Sequence, residues 1–245
     1  MTDALLQALD AAPGPVPLFI RDDDAGWADD ALFALLDVTA LAAVPIDLAV
    51  IPDALTPPLA AALLQRRRTQ PLGLHQHGRA HLNHEPTGRK CEFGASRSAE
   101  QQRADLLQGR SRLQQALGDA LDPVFTPPWN RCAPNTPALL AELGFAALSR
   151  DAGAVPQQAL PECPVHVDWT RELRAAVAEG ADVEQQLCVQ MARHVDGVRP
   201  VGLMLHHAVM DDAERALLRR LLARWRAHPT ALWQPMRALL QAVPA

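Results

Sequence analysis

The chain has 245 residues, 49% of them apolar and 21% charged, with a formal net charge of −5. That balance excludes a disordered or fibrous protein and is enough for one sizeable α/β core. Of the 23 basic residues only Lys90 is a lysine, and the arginines are scattered apart from Arg66-Arg67-Arg68, which argues against a nucleic-acid partner.

Residues 16–21 read as an apolar strand ending in Asp22-Asp23-Asp24, and a helical pattern follows over 29–41. A second strand at 46–51 is closed by Pro52 and precedes a helix over 56–68. Residues 72–75 form a short buried strand running into a histidine cluster, then a polar loop spans 83–97. Ser98, with Gln101 three residues on, predicts a capping box that opens an amphipathic helix to about residue 121. A strand at 124–126 stops at Pro127-Pro128, Asn135 caps a helix to Leu143, and 145–148 is a further strand. After a loop over 150–163 come a strand at 165–167 and a helix over 182–195. The strand at 201–205 delivers His206-His207, and Asp211 with Glu214 opens a helix to about Arg226. A last strand at 231–233 and a short helix at 235–242 end the chain.

These are seven or eight β/α units with no linker between them, so residues 1–245 read as a single α/β domain with a parallel sheet. The polar residues fall just after strand ends, where a (β/α) barrel gathers its active site on one face. The expected fold is a single distorted TIM-like (β/α)7-8 barrel. No fixed-period repeat is visible, and no apolar run approaches the roughly 20 residues a membrane helix needs. The first residues hold no basic segment followed by an apolar stretch, so the expectation is a cytoplasmic protein with no membrane partner. Cys91, Cys132, Cys163 and Cys188 form no C-x-x-C pair and read as reduced thiols.

Nine histidines against no tyrosine is the anomaly, and His75, His77, His81 and His84 are crowded into ten positions. His77 and His81 are four apart, a spacing that brings two imidazoles to one side of a helical turn or tight loop and suits one cation. Taken singly, each is as well read as a hydrogen-bonded or surface histidine. Three carboxylates on the end of an apolar strand repel one another unless a cation or arginine neutralises them; the plainer reading is a solvated acidic turn or helix cap. An Asp with two His leaves an open coordination position for water, whose pKa a metal can lower to about 7. Zinc suits such ligands, and cobalt, nickel, manganese and iron share them.

Five segments occur in order across residues 19–207: Arg21-Asp22-Asp23-Asp24-Ala25-Gly26, His77-Gly78-Arg79-Ala80-His81, Phe125-Thr126-Pro127-Pro128-Trp129-Asn130, Asp168-Trp169 and Leu203-Met204-Leu205-His206. As an ordered set they resemble the motifs of the polysaccharide deacetylase superfamily (NodB-homology, carbohydrate esterase family 4). The resemblance implies the NodB-homology fold and a metal-dependent hydrolase that removes an N-acetyl or other acyl group from an amino sugar or glycoconjugate. In it, Asp23 is the general base, Asp24, His77 and His81 hold one divalent ion, and His206 is the general acid. Two registers stay open: Asp22 and Asp23 in place of Asp23 and Asp24, and His207 in place of His206. Arg21, Trp129, Asp168 and Trp169 are expected at the substrate, and Trp27 either there or in the core.

Three departures from the family pattern matter. Thr126 stands where the family has an arginine that orients the catalytic aspartate; Arg21, two residues from Asp23 on the same strand face, is placed to substitute. The polar insert over 84–97 either shapes the substrate pocket or forms a surface loop. The missing export signal favours a small-molecule or oligosaccharide substrate over a wall polymer. Two other outcomes of the resemblance are a hydrolase of a non-sugar or cyclic amide and a non-catalytic carbohydrate-binding relative. Oligomeric state is left open.

Overall fold

Asp3 accepts hydrogen bonds from the N–H groups of Leu5 and Leu6 and so starts α1 (Ala4–Ala11) of the computed structural model, which describes residues 3–241. This helix is not among those expected from the sequence. It precedes β1 (Val16–Ala25), α2 (Asp29–Leu41), β2 (Ile46–Val50), α3 (Pro57–Arg67) and β3 (Leu72–His77). Next come α4 (Ala99–Leu117), opened by the expected Ser98–Gln101 capping box, β4 (Leu121–Thr126), α5 (Thr136–Glu142) and β5 (Ala147–Leu148). The chain continues through β6 (Val165–Asp168), α6 (Trp169–Glu179), α7 (Val183–Ala192) and β7 (Val201–Leu205). It closes with α8 (Asp212–Arg226), β8 (Ala231–Trp233) and α9 (Met236–Gln241); residue 242 of the predicted last helix lies outside the described residues.

The eight strands form one sheet in the order β5-β4-β3-β2-β1-β7-β6, with β8 beside the first residues of β1, and every pairing is parallel. The two outer strands meet through the segment that follows β5. Val165 N–H donates to the Arg150 carbonyl at 2.9 Å, and Ala152 N–H donates to the Val165 carbonyl at 2.8 Å. The result is the distorted (β/α) barrel that the strand–helix alternation predicts.

Alternation along β1 sorts side chains between inside and outside. Leu18 and Ile20 join the main core beneath the helices, whereas Phe19 packs with Val124, Val165, Met204, Met236 and Leu239 inside the barrel. Met236 and Leu239 belong to α9, which therefore plugs the barrel at the N-terminal ends of the strands. The opposite rim, where β1, β3, β4, β6 and β7 end, carries the polar residues.

One expected site residue falls elsewhere. Asp168 accepts from Arg171 N–H and starts α6, with Gly180 ending it in the left-handed region. Trp169 is the first residue of that helix and is fully buried in the main core beside Leu173 and Ala176 of the same stripe. The expectation of a sugar-facing Trp169 is corrected: the helix begun by Asp168 turns the indole inward, and it has no face to offer a ligand.

Candidate active site

The rim is built around Asp22, Asp23 and Asp24, and each of these neighbouring carboxylates has its own cationic or cation-ready partner. Asp22 points to the helix side of β1, where it accepts from His207 N–H at 2.9 Å and from His207 Nδ1 at 2.6 Å. The other ring nitrogen of His207 donates to the Trp27 carbonyl at 2.8 Å. A carboxylate and a carbonyl can only accept, so both imidazole nitrogens carry protons. Burial alone would lower the His207 pKa, but the Asp22 charge and hydrogen bond more than reverse this and raise it to about 9. His207 and Asp22 are both fully buried. The geometry thus ties the two residues of the alternative registers to each other.

Asp23 is gripped by Arg21, whose Nε and terminal nitrogen reach the two carboxylate oxygens at 2.7 and 2.9 Å. The same guanidinium donates to Ser149 Oγ at 2.8 Å and Asn130 Oδ1 at 2.6 Å, and approaches Met204 Sδ at 3.0 Å. Burial would raise the Asp23 carboxyl, but the charges of Arg21, His77 and His206 together hold it below the ordinary carboxylate value. Arg21 is fully buried, so its expected place at the substrate is corrected to a hold on Asp23. Thr126 makes no contact of this kind: its hydroxyl meets His75 and its carbonyl meets His77.

Asp24 lies within an irregularity in β1 between Asp22 and Ala25 and has a left-handed backbone, φ 71°. This turns its carboxylate away from the strand's alternation and toward the histidines. Asp24 Oδ1 lies 3.2 Å from Nε2 of both His77 and His81. One donor atom from each residue fits within 4.8 Å of the others, and this is the candidate metal cluster among the described residues. Burial acts to raise the Asp24 carboxyl, and the bonds from His77 and His81 outweigh it, so the group sits far below its ordinary value.

His77 ends β3, and its Nδ1 donates to the Thr126 carbonyl at 3.0 Å, which leaves Nε2 facing the cluster. His81 arrives four residues later through Gly78 at φ 56° and its own left-handed φ of 56°. Its ring is flanked by Trp27 and Trp129, with centroids 4.9 and 4.4 Å away. Glu92, buried within the 84–97 insert, accepts from the N–H groups of Arg79 and Ala80 at 3.2 and 2.8 Å and holds this turn in shape. A carboxylate oxygen and two imidazole nitrogens, one oriented from behind by a carbonyl, are donors that suit a divalent transition ion.

His206 lies beyond β7 and lines a cavity of about 430 Å³ together with Asp24 and Asp168. Its Nδ1 is buried without a hydrogen-bond partner among the described residues. Trp129 and Asp168, both expected at the substrate, border a second cavity of about 790 Å³. His75 lies below His77 on the same face of β3. Burial and then Arg21 lower its pKa to about 3, so it is neutral, with Nε2 2.8 Å from Thr126 Oγ1. His84 sits in the insert, where its N–H donates to the Cys91 carbonyl.

Two residues of consequence escape motif reading, Ser149 and Glu92. Thr126 and Asn130 lie in the third motif, but their bonds to His75, His77 and Arg21 carry no local signal. Of the six non-glycine residues with positive φ among those described, Asp24, His81, Trp129 and Asn130 surround the site. Such backbone strain persists where surrounding contacts over-determine it, and it concentrates at functional sites.

No protein-family model and no curated protein sequence matches the chain. Solved structures do. A protein from Mycobacterium smegmatis assigned as a polysaccharide deacetylase superposes with a TM-score of 0.71 at 17% identity, over 94% of this chain and 90% of that one. A family 4 acetyl xylan esterase from Clostridium thermocellum, in complex with a cobalt ion, gives 0.58 at 14% identity over 93% of each chain. Puue allantoinase gives 0.69 at 11% identity over 93% and 90%. The chain has the fold shared by polysaccharide deacetylases and family 4 carbohydrate esterases.

Proposed function

We propose that the protein is a divalent-metal-dependent hydrolase that removes an N-acyl group, acetyl first, from an amino sugar or glycoconjugate. The observation that carries this reading is the division of labour among three consecutive aspartates. Asp22 is neutralised by His207, Asp23 is held by Arg21, and Asp24 alone turns to His77 and His81.

In this reading Asp24, His77 and His81 hold the ion, zinc by preference, with cobalt, nickel, manganese or iron as alternative occupants. A divalent ion held there supplies Lewis acidity toward the acyl oxygen and toward water. Asp23 takes the proton of the attacking water. Arg21 keeps that carboxylate ionised and fixes its direction, so the base is pre-oriented and does not rotate at the moment of transfer. His206, across the smaller cavity from Asp24, gives a proton to the departing nitrogen, which makes an amine a competent leaving group. Trp129 and Asp168 border the path along which a sugar would lie.

The test is acetate release from N-acetylated amino sugars by metal-stripped protein before and after zinc or cobalt is restored. Release that depends on the added ion and is lost in Asp23→Asn supports the reading; no release across the sugar panel overturns it. The likeness to Puue allantoinase, together with Thr126 in the arginine position, favours one second reading, hydrolysis of a cyclic or other non-sugar amide. Imides and ureides in the same panel separate the two.

A further inference from the structure

The larger cavity holds more positive charge than its own acids can neutralise. Arg150 on its wall is paired with Glu162 at 2.8 Å, and Asp151 with Arg171 at 3.3 Å, while Asp168 is occupied as the cap of α6. Three further cations gather where this cavity meets Trp129. Arg89 and Arg131 line it, and the Lys90 ammonium lies 5.9 Å from the Trp129 ring centroid. None of the three has a carboxylate within ion-pair distance among the described residues.

The three are held together by the fold. Arg131 donates to the Lys90 carbonyl at 3.0 Å, and the Cys91 thiol donates to the Arg131 carbonyl at 3.2 Å. A parallel bridge between Phe93 and Cys132 fastens the insert to the segment after β4. The Arg131 guanidinium is half-buried, and burial followed by the charge of Arg89 makes its protonated form less favourable than usual. Like charges brought together without a counter-ion cost stability, so the arrangement is best accounted for by a ligand that supplies the opposite charge. Arginine suits carboxylate and phosphate oxygens because its planar fork matches two of them at once.

The larger and smaller cavities share Asp168 and Arg171 as lining residues, and the Trp129 ring of the larger one lies 4.4 Å from the His81 ring, centroid to centroid, so the cationic wall adjoins the Asp24–His206 region. Resting on the proposed acyl hydrolysis, we infer that the substrate carries an oxyanion, either a carboxylate or a phosphate, which Arg89, Lys90 and Arg131 receive while Trp129 separates it from the acyl group. The insert then selects the substrate, and its exposed basic pair is a recognition element.

Calorimetric titration of the full-length zinc-loaded protein tests this with three matched probes: N-acetylglucosamine, its 1-phosphate and its uronic-acid counterpart. At low ionic strength at least one charged probe is expected to bind about tenfold more tightly than the neutral one, the size of a gained charge-assisted contact. The preference should shrink as salt is raised and collapse in Arg131→Gln. The exposed pair Arg89→Gln/Lys90→Gln, which touches no core, keeps the test valid if Arg131→Gln fails to fold. Which charged probe wins identifies the oxyanion. Equal binding of all three, or a preference that survives both variants, overturns the inference. Acetate release followed in parallel separates the two readings: a charge preference lost in the variants without turnover of any probe overturns the acyl hydrolysis and leaves the subsite standing.

Discussion

Arg21 and Asp23 stand two residues apart on one strand, and the guanidinium of the first spans both carboxylate oxygens of the second inside a fully buried pocket. Breaking such a pair leaves a buried charge unpaired, at a cost of about 3–5 kcal/mol. Arg21→Met is therefore expected to lower the melting temperature sharply and to abolish turnover. Arg21→Lys keeps the charge and loses the fork. It should fold with a smaller loss and reduce kcat by about 10²-fold, the effect of misplacing a catalytic group by an ångström. A lysine variant with wild-type kcat would show that the direction of Asp23 is not set by Arg21.

Substituting the cluster residues should separate metal binding from chemistry. Asp24→Ala, His77→Ala and His81→Ala are each expected to lose stoichiometric zinc in elemental analysis, whereas Asp23→Asn retains it and loses activity. Because ligand binding stabilises the folded state by mass action, zinc at 100 times its dissociation constant should add about 2.7 kcal/mol to the wild type. The same addition should leave Asp24→Ala unmoved in a thermal melt. Zinc retained by Asp24→Ala and lost by Asp22→Ala would shift the register by one residue.

His206 and His207 are neighbours with opposite expected signatures. His206→Gln should fold normally and lose about 10²–10⁴ in kcat, the usual contribution of a general acid. His207→Gln removes the cation from buried Asp22 and should reduce stability by several kcal/mol. Chemical denaturation beside steady-state kinetics distinguishes them, and a stable, inactive His207→Gln would reverse the assignment.

Stability should depend on pH through Asp47, which is buried in the barrel and accepts from Met236 N–H at 2.9 Å. Burial, with the Asp122 charge adding to it, raises its pKa to about 8. In the unfolded chain the group titrates near pH 4. Between those values the folded protein holds a proton that the unfolded chain has released, so this group makes stability fall as pH rises from about 4 to about 8 and level off above. The slope is at most about 1.4 kcal/mol per pH unit. Asp47→Asn should remove this part of the slope and be the more stable protein at pH 8. Parallel denaturation curves for the two proteins across that range would refute it.

Trp169 and Trp129 offer a direct contrast between core and cleft. Trp169→Ala should cost about 3–5 kcal/mol of stability as a buried aromatic truncation. Trp129→Ala should leave stability near wild type and weaken kcat/KM by about 2- to 10-fold, the range of one aromatic contact. A destabilised Trp129→Ala with unchanged kcat/KM would place that ring in the scaffold.

Most of what is legible in the sequence lies at strand ends. The apolar run before Asp22 and the strand before His206 are local patterns, and placing their ends on one face follows from barrel topology alone. The two-residue period of a strand likewise puts Arg21 and Asp23 on one face, whatever the rest of the fold does. Trp169 defeats motif reading because it stands where a helix begins, although Asp168 as cap, the stripe through Leu173 and Ala176, and Gly180 as stop all signal that helix. The register of the three aspartates is not legible, because the irregularity in β1 and the left-handed φ of Asp24 decide which way each carboxylate turns. Glu92 and Ser149 are out of reach for another reason. Their bonds to Ala80 and Arg21 span 12 and 128 residues and exist only once the strands are assembled.

The plug beneath the site has a kinetic meaning. Phe19, Met204 and Met236 fill the barrel just under Arg21, and α9 seals it from below. Among the described residues the interior below Arg21 is packed, so the cavities of the site open only on the rim side of that packing. Under the proposed acyl hydrolysis, a small acid released beside Asp24 would have this packed floor behind it and the larger fragment on its open side, so the bulky product is expected to leave before the small one.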